Sequence, residues 1–153
     1  MDIERDEIET EEIKIDLKEL LNRYNAGERN FTGVTILDID DGLLKGIDFS
    51  GINLENSELW ADFSGAILRG VNFRYSTWHI AVWEDIDFTG SDFTGIHDAV
   101  GCDFIRCNFS NTIWTKAELW QSRFIGCEDA TADFSDADFC EVEFFTEKRF
   151  FGE

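Results

Sequence analysis

The sequence predicts an all-β solenoid, in which short extended segments stack as four-sided coils behind one short α-helix. The first observation is a large apolar residue at nearly every fifth position, a period that fits neither an α-helix nor an ordinary strand. The second is that a small or β-branched residue precedes it by two positions, while Gly or Asn often follows it by two. The third is the absence of proline, which is expected where N–H groups pair with a neighbouring coil.

The five-residue period is explained if each unit forms one side of a coil. Residues two positions apart in an extended backbone point the same way, so the large and the small residue face inward and the other three face outward. Gly and Asn tolerate positive φ and allow a corner after each side. Four sides close a coil, and coils stack at the ~4.8 Å spacing of strands. The large inward series includes Phe63, Leu68, Phe73, Trp78, Trp83, Phe88, Phe93, Phe104, Phe109, Trp114, Leu119, Phe124, Phe134, Phe139 and Phe144.

The segment before the repeats is predicted in two parts. Residues 1–12 are dominated by acidic side chains and are expected to be frayed. Residues 13–29 are expected to form a helical cap, with an amphipathic helix over about residues 16–26 that begins at Asp16, has Glu19 in a capping-box position and stops at Gly27. This helix either covers the first open end of the solenoid or binds a partner.

The quintets resemble those of the pentapeptide-repeat family, whose motif is written A(D/N)LxX with Phe often in place of Leu. The resemblance covers about residues 30–145 and is carried by quintets such as 47–51 (IDFSG), 91–95 (SDFTG) and 132–136 (ADFSD). It implies a right-handed quadrilateral parallel β-helix, the pentapeptide-repeat solenoid, of nearly six coils. The leading helix followed by residues 27–31 (GERNF) also resembles cyanobacterial members with an N-terminal helical cap.

The five-residue period is interrupted at four places. The side from Leu59 to Phe63 has four residues, and residues 96–101, which include His97, contain an insertion. The register is loose between residues 36 and 44. Asp129 stands where a large apolar residue belongs, and an unpaired buried charge is costly. Three explanations stay open for it: a bulge that turns the side chain outward, a paired buried carboxylate, or a functional acid.

One outward column is expected to become apolar toward its C-terminal end. It contains Ser64, Glu84, Ile105, Ile125 and Phe145, and its last three members need to be covered. The tail, residues 146–153, contains Phe150 and Phe151 and is available for this purpose. Either these two side chains fold back as a C-terminal cap, or the apolar stripe and the tail form a homodimer interface.

A second outward column is expected to contain Trp60, His79, a residue near Ala99, Trp120 and Cys140. Two exposed Trp side chains and a His on one face suit docking to a flat partner surface. The alternative is that a nearby loop packs over them. Both columns are therefore candidate interaction surfaces.

The four cysteines show no CxxC pair and no framework of a small secreted scaffold. Cys102, Cys107 and Cys127 occupy the inward small position and are expected to be buried thiols. Cys107 and Cys127 are twenty residues apart and are expected to stack, so that a disulfide between them is sterically conceivable. Cys140 faces outward and is the thiol to test for reactivity.

Composition limits the partners. A formal net charge of −20 makes direct nucleic-acid binding improbable, because phosphate contacts need a basic face. The charge either keeps a Phe-rich solenoid soluble or lets the protein compete with nucleic acid for a basic partner. No apolar run reaches the length of a membrane span and the first residues are not signal-like, so a cytoplasmic location without membrane contact is expected.

The sequence contains no recognisable catalytic, cofactor or metal motif. The main functional hypothesis is a non-enzymatic scaffold or protein-interaction module with an unidentified protein partner. The second hypothesis is an acidic DNA mimic that binds a DNA gyrase-type enzyme, as in the quinolone-resistance branch of the family. An enzymatic or metal-dependent activity is the third. A monomer is favoured, with a homodimer through the C-terminal aromatic region as the alternative.

Overall fold

The computed structural model describes residues 11–37, 44–80 and 82–152. Strands and two short helices follow one another along a solenoid of stacked coils, so that the predicted all-β class is confirmed. The elements are β1 (Lys14–Asp16), α1 (Leu17–Asn25), β2 (Thr35–Leu37), β3 (Glu58–Leu59), β4 (Thr77–Trp78), β5 (Val82–Glu84), β6 (Asp103–Ile105), β7 (Arg123–Ile125), β8 (Glu143–Phe145) and α2 (Glu147–Phe151). Within the described ranges, no helix has the length and apolar character needed to cross a membrane.

In the part of the chain that the structure describes, the strands pair in parallel and form two four-stranded sheets. One sheet has the order β1-β2-β3-β4 and the other the order β5-β6-β7-β8, so each strand adds below the preceding one on the same side of the solenoid. Isolated parallel bridges, such as Asp87 with Asn108 and Asp92 with Ile113, continue the pairing on further sides. Residues one coil apart therefore lie in columns, as the five-residue period predicted.

The corners carry the positive φ angles that the sequence predicted there. Ten non-glycine residues with positive φ are found in the described ranges, as are glycines such as Gly95 at φ +68°. At Gly95 an added Cβ would lie 2.5 Å from the Tyr75 ring. This corner thus needs glycine chiefly for space, since non-glycine residues adopt similar φ angles at other corners.

The core is a column-by-column stack of aromatic rings. Phe88 lies on Phe109 with ring centroids 5.2 Å apart and planes inclined by 4°, and Phe93 lies on Trp114 at 4.1 Å and 15°. All four side chains have no solvent exposure. Such stacking adds to the hydrophobic gain from burial, and it extends through the middle coils of the solenoid.

The buried Trp side chains require a polar partner for each indole N–H. The Trp78 Nε1 donates to Ser76 Oγ at 2.8 Å, and the Trp114 Nε1 donates to Thr112 Oγ1 at 2.9 Å. In both cases the hydroxyl belongs to the small inward residue two positions before the Trp. The sequence therefore places a hydroxyl, in place of Ala or Val, beside these two large centres.

The N-terminal end is closed by α1, whose Leu17 and Leu20 are fully buried. The Asp16 side chain accepts a hydrogen bond from the Glu19 N–H at 2.7 Å, which is the start that the sequence predicted. One expectation needs correction, since residues 14–16 of the predicted helical cap form β1 and pair with β2. Backbone pairing there explains why extended structure precedes the helix. Of the segment predicted to be frayed, residues 1–10 lie outside the described residues.

The interruptions of the period have identifiable forms. His97 pairs with Thr77, Asp98 adopts φ +58°, and Ala99 is fully buried as the inward residue of its side. The insertion is thus a one-residue bulge at Asp98. On the four-residue side, both Leu59 and Phe63 remain buried. The loose register predicted between residues 36 and 44 lies largely outside the described residues.

Candidate interaction surfaces

An exposed apolar column runs along the face built on β2, β3 and β4. We call it the tryptophan face and define it by the residues that follow the buried inward residues of this side: Leu37, Trp60, His79, Val100 and Trp120. Its order follows from the backbone, since Trp60 N–H donates to Ile36 C=O at 2.9 Å and Gly101 N–H donates to Trp120 C=O at 2.9 Å. Four members are exposed hydrophobic side chains: Leu37 at 40%, Trp60 at 44%, Val100 at 52% and Trp120 at 46%.

Trp60 is held in place by its neighbours. Its indole stacks on the His79 ring with centroids 3.8 Å apart and planes inclined by 10°. The Trp60 Nε1 donates to Glu58 Oε1 at 2.8 Å, and His79 Nε2 lies 2.9 Å from the same carboxylate oxygen. Glu58 lies in β3, so this cluster presents a preorganised aromatic surface with one polar edge.

Two members of this face were not named from the sequence. The predicted residue near Ala99 is Val100, because Ala99 itself points into the core. Val100 lies twenty residues before Trp120, and the bulge at Asp98 lengthens the spacing from His79 to Val100 to twenty-one residues. Leu37 was missed because it precedes the loosely registered segment. Cys140, predicted in the same column, is exposed.

The predicted apolar stripe lies on the side built on β5 to β8. Ile125 is fully buried, while Ile105 and Phe145 are partly buried. Helix α2 lies beside the stripe, since Phe150 packs on Phe145 with ring centroids 5.2 Å apart. Phe151 remains 52% exposed. Within the described residues, the tail thus packs along the side of the solenoid through Phe150.

Arg106 anchors this tail. Its guanidinium donates to Asp85 Oδ1 at 2.8 Å, to Glu147 Oε1 at 3.1 Å and to the Glu84 carboxylate. The hydrogen bond with Asp85 is the leading cause that raises the pKa of Arg106. The Arg106 guanidinium therefore links the end of β5, at Glu84 and Asp85, to Glu147 at the start of α2. Removing this cation would leave three carboxylates close together.

Among the described residues, neither a further coil nor a helix covers the C-terminal end of the solenoid. The last coil contains the inward residues Phe134, Phe139 and Phe144, and Phe144 is 48% exposed. In the preceding coil, the corresponding inward residues Trp114, Leu119 and Phe124 are at most 1% exposed. Since α2 lies along the side, it does not take the place of a further coil.

Asp129 keeps the inward register of this last coil. Glu128 pairs with Asn108 as expected for the position before an inward residue, and Ala132 N–H donates to Asp129 C=O at 2.9 Å. The bulge considered from the sequence is therefore absent at Asp129. No described Lys or Arg forms an ion pair with it.

The short Asp129 side chain ends a column of large apolar residues and leaves a space. An open recess of about 450 Å³ is lined by Phe124, Cys127, Asp129, Phe134, Phe144, Phe145 and Thr146. We call it the Asp129 recess. Burial raises the pKa of the Asp129 carboxyl above its ordinary value of 3.8, because the surrounding aromatic rings solvate the carboxylate poorly.

The aspartates before inward residues have a structural role that the sequence interpretation missed. Asp48, Asp92 and Asp133 each accept a hydrogen bond from the backbone N–H two residues later, at 2.8 to 2.9 Å. Asx turns of this kind fix the corner. Several of these carboxylates also pair with Arg, as Asp87 does with Arg69 at 2.5 Å.

The thiols lie where the sequence placed them. Cys102 and Cys107 are buried, Cys127 is partly buried, and all four cysteines are free. Burial raises the pKa of the Cys102 thiol to about 12. Each inward thiol donates to a carbonyl of the preceding coil, for example Cys107 to Trp83 C=O at 3.3 Å. In the described ranges, no group of three or more His, Cys, Asp or Glu side chains is arranged to hold a metal ion.

Two aspartates are expected to change stability with pH in opposite directions. Burial opposes ionisation of Asp87, but hydrogen bonds from Thr89 and the contact with Arg69 outweigh it and lower the Asp87 pKa. Asp87 therefore stabilises the fold above its unfolded pKa of about 3.9, and this contribution is lost as pH falls through the folded pKa. The raised pKa of Asp129 has the opposite effect, because ionisation above the unfolded pKa destabilises the fold.

Urea unfolding of Asp87→Asn and Asp129→Asn between pH 3 and pH 7 measures this difference. Relative to the parent, Asp87→Asn is expected to become less stable as pH rises and Asp129→Asn more stable. Each variant removes one negative charge, so comparison of the two cancels the general relief of charge repulsion. Parallel pH profiles for the two variants would contradict the expected signs.

Comparisons with known proteins identify the repeat. A family model described as pentapeptide repeats matches residues 43–77 and 102–128 in eight copies. No curated protein matches the chain significantly. Among solved structures, the chain is similar to the pentapeptide repeat protein Rfr23 from the cyanobacterium Cyanothece 51142, at 16% identity and a TM-score of 0.33, over 83% of this chain and 94% of that one. It is also similar to HetL from Nostoc sp. strain PCC 7120, a pentapeptide repeat protein involved in heterocyst differentiation regulation, at 18% identity and a TM-score of 0.26, over 84% of this chain and 72% of that one.

Proposed function

We propose that this chain, whose repeats match the pentapeptide-repeat family model over residues 43–77 and 102–128, is a non-catalytic protein-interaction module that binds a partner through the tryptophan face. The observation that supports this function is the pair of half-exposed Trp side chains, Trp60 and Trp120, aligned with Val100 on one rigid side. Trp is enriched among the residues that dominate binding energy. Backbone hydrogen bonds between coils fix this side, and Glu58 and His79 hold the Trp60 indole, so that little conformational entropy is lost when a partner binds.

The geometry also indicates the kind of partner surface. Trp60 and His79 form a flat stacked pair, and Glu58 supplies a carboxylate at its edge. A complementary surface is flat and apolar with a hydrogen-bond donor or a cation opposite Glu58. At neutral pH this cation would be a Lys or Arg of the partner.

We expect the double variant Trp60→Ala/Trp120→Ala to bind the partner at least about tenfold more weakly, because buried Trp anchors each contribute more than about 1 kcal/mol. The measurement is quantitative affinity capture from the host lysate with the parent and the variant, followed by titration calorimetry with the partner that the parent retains. Phe151→Ala is the matched control, since it removes an aromatic side chain of similar exposure (52%) from another surface.

The melting temperature of the Trp variant has to remain close to that of the parent, because both Trp side chains lie outside the core. We would abandon the tryptophan face as the binding surface if the correctly folded double variant captured the same partner with unchanged affinity.

Mimicry of DNA at a gyrase-type enzyme is a second candidate function. Its support is the net charge of −20 together with residues 124–147, which contain acidic residues and no Lys or Arg. Inhibition of gyrase supercoiling by the parent protein would favour it. In that case neutralising the acidic side chains is expected to abolish the inhibition, whereas Trp60→Ala/Trp120→Ala is expected to leave it unchanged.

A further inference from the structure

The last coil offers a free backbone edge for pairing. In the coil before it, Trp114 N–H donates onward to Asp133 C=O at 2.8 Å, and Ala117 C=O accepts from Asp138 N–H at 2.8 Å. One coil later, the equivalent groups are the N–H of Phe134 and the C=O of Ala137. Neither has a backbone partner among the described residues. β8 is likewise the edge strand of its sheet, so an extended segment can add to this end as a further coil side.

The same end exposes side chains that a further coil would bury. Phe144 is 48% exposed, and Phe134 and Phe139 are partly buried. Phe124, directly above Phe144 with ring centroids 4.9 Å apart, is only 1% exposed. An added segment with apolar residues at alternate positions would complete this stack.

The Asp129 recess gives the end a specific chemical preference. It combines one carboxylate with the rings of Phe124, Phe134 and Phe144 in a space of about 450 Å³. A carboxylate next to aromatic rings suits a Lys or Arg side chain, which gains both an ion pair and cation–π contact. An anionic side chain would meet an unscreened like charge there.

The charge around the open end agrees with a basic occupant. Between residues 124 and 147 the acidic residues are Glu128, Asp129, Asp133, Asp136, Asp138, Glu141, Glu143 and Glu147, and Lys, Arg and His are absent. Only Glu147 of these forms an ion pair within the described residues, with Arg106. A second copy of this chain in a two-fold contact would bring two acidic rims together, which disfavours a homodimer at this end.

We propose that the C-terminal end of the solenoid binds an extended basic segment of a partner protein, which pairs with the last coil, covers its exposed Phe side chains and places a Lys or Arg side chain in the Asp129 recess. This site shares no residue with the tryptophan face, so an experiment can refute binding at one of the two surfaces without refuting binding at the other.

The probe is a set of ten-residue peptides with Val or Phe at alternate positions and Thr between them, in which Lys replaces one of the Val or Phe residues, and a matched set with Glu in place of that Lys. We expect the Lys peptides to bind the full chain and the Glu peptides not to bind. Asp129→Asn is expected to weaken binding about tenfold, the effect of removing one partner of a partly desolvated ion pair. Asp48→Asn, which removes a charge from a distant coil, is the matched control.

Backbone NMR locates the bound peptide. The amide signals of Phe134, Phe139 and Phe144 are expected to shift on binding, while those around Trp60 are not. Equal binding of Lys and Glu peptides, an unchanged affinity for Asp129→Asn, or amide shifts confined to other coils would each overturn the assignment. Sedimentation that shows dimers of the parent, abolished by Phe144→Glu, would assign the end to a second copy of this chain instead.

Discussion

Phe109→Ala is expected to lower the free energy of unfolding by about 3–5 kcal/mol, the usual cost of truncating a buried Phe. Phe109 is fully buried. Its ring stacks on Phe88 at 5.2 Å and packs edge-on against Phe104 and Trp114 at 5.4 and 5.2 Å. The paired coils above and below hold the backbone in place, so the cavity is expected to collapse only in part. Urea denaturation monitored by circular dichroism measures the loss.

Phe144→Ala is the matched control for this loss. It makes the same chemical change at an inward position of the last coil, where the side chain is already 48% exposed. We expect it to cost about 1–2 kcal/mol, because less apolar area returns to water. In a solenoid each coil contacts only its neighbours, so equal losses for the two variants would mean that the last coil is as well packed as the middle.

Thr112→Val is expected to cost about 2 kcal/mol although it hardly changes the volume of the side chain, because it leaves a buried donor unsatisfied. Thr112 Oγ1 accepts from the fully buried Trp114 Nε1 at 2.9 Å. Without that acceptor the indole N–H has no hydrogen-bond partner in the core, and an unsatisfied buried donor lowers the free energy of unfolding by about 1–3 kcal/mol. Phe109 C=O loses the Thr112 hydroxyl but keeps a backbone hydrogen bond from Thr112 N–H at 3.3 Å.

A double-mutant cycle isolates this hydrogen bond. In a Trp114→Phe background no indole N–H remains, so Thr112→Val is expected to be nearly neutral there. Ser76 and Trp78 offer an independent repeat of the same pair, with Ser76 Oγ as the acceptor. If Thr112→Val costs as much in the Trp114→Phe background as in the parent, the stabilising role of the hydroxyl lies in its contact with Phe109 C=O.

Much of the candidate site could be predicted from its spacing. Trp60, His79 and Trp120 were placed in one outward column because residues one coil apart stack, and the backbone hydrogen bonds put them there. Val100 was placed only approximately, because its position depends on which residue of the insertion forms the bulge. That choice depends on packing in the core: Ala99 is the buried residue of its side, and a large side chain there would overpack a core that already holds Trp78.

The sequence by itself determined the repeating side, its inward residues and its corners, because each depends on residues within one quintet and on the stereochemistry of extended backbone and turns. Only the tertiary structure decided which outward residues remain exposed. Two apolar columns look equivalent in the sequence, yet Ile125 is fully buried while Trp60 and Trp120 are half-exposed. Helix α2 lies on the Ile125 side of the solenoid, where Phe150 packs on Phe145 and Glu147 pairs with Arg106, and no local pattern specifies these long-range contacts. The Phe side chains of the last coil stay partly exposed because α2 packs along the side of the solenoid and not over its end. That placement also depends on long-range contacts.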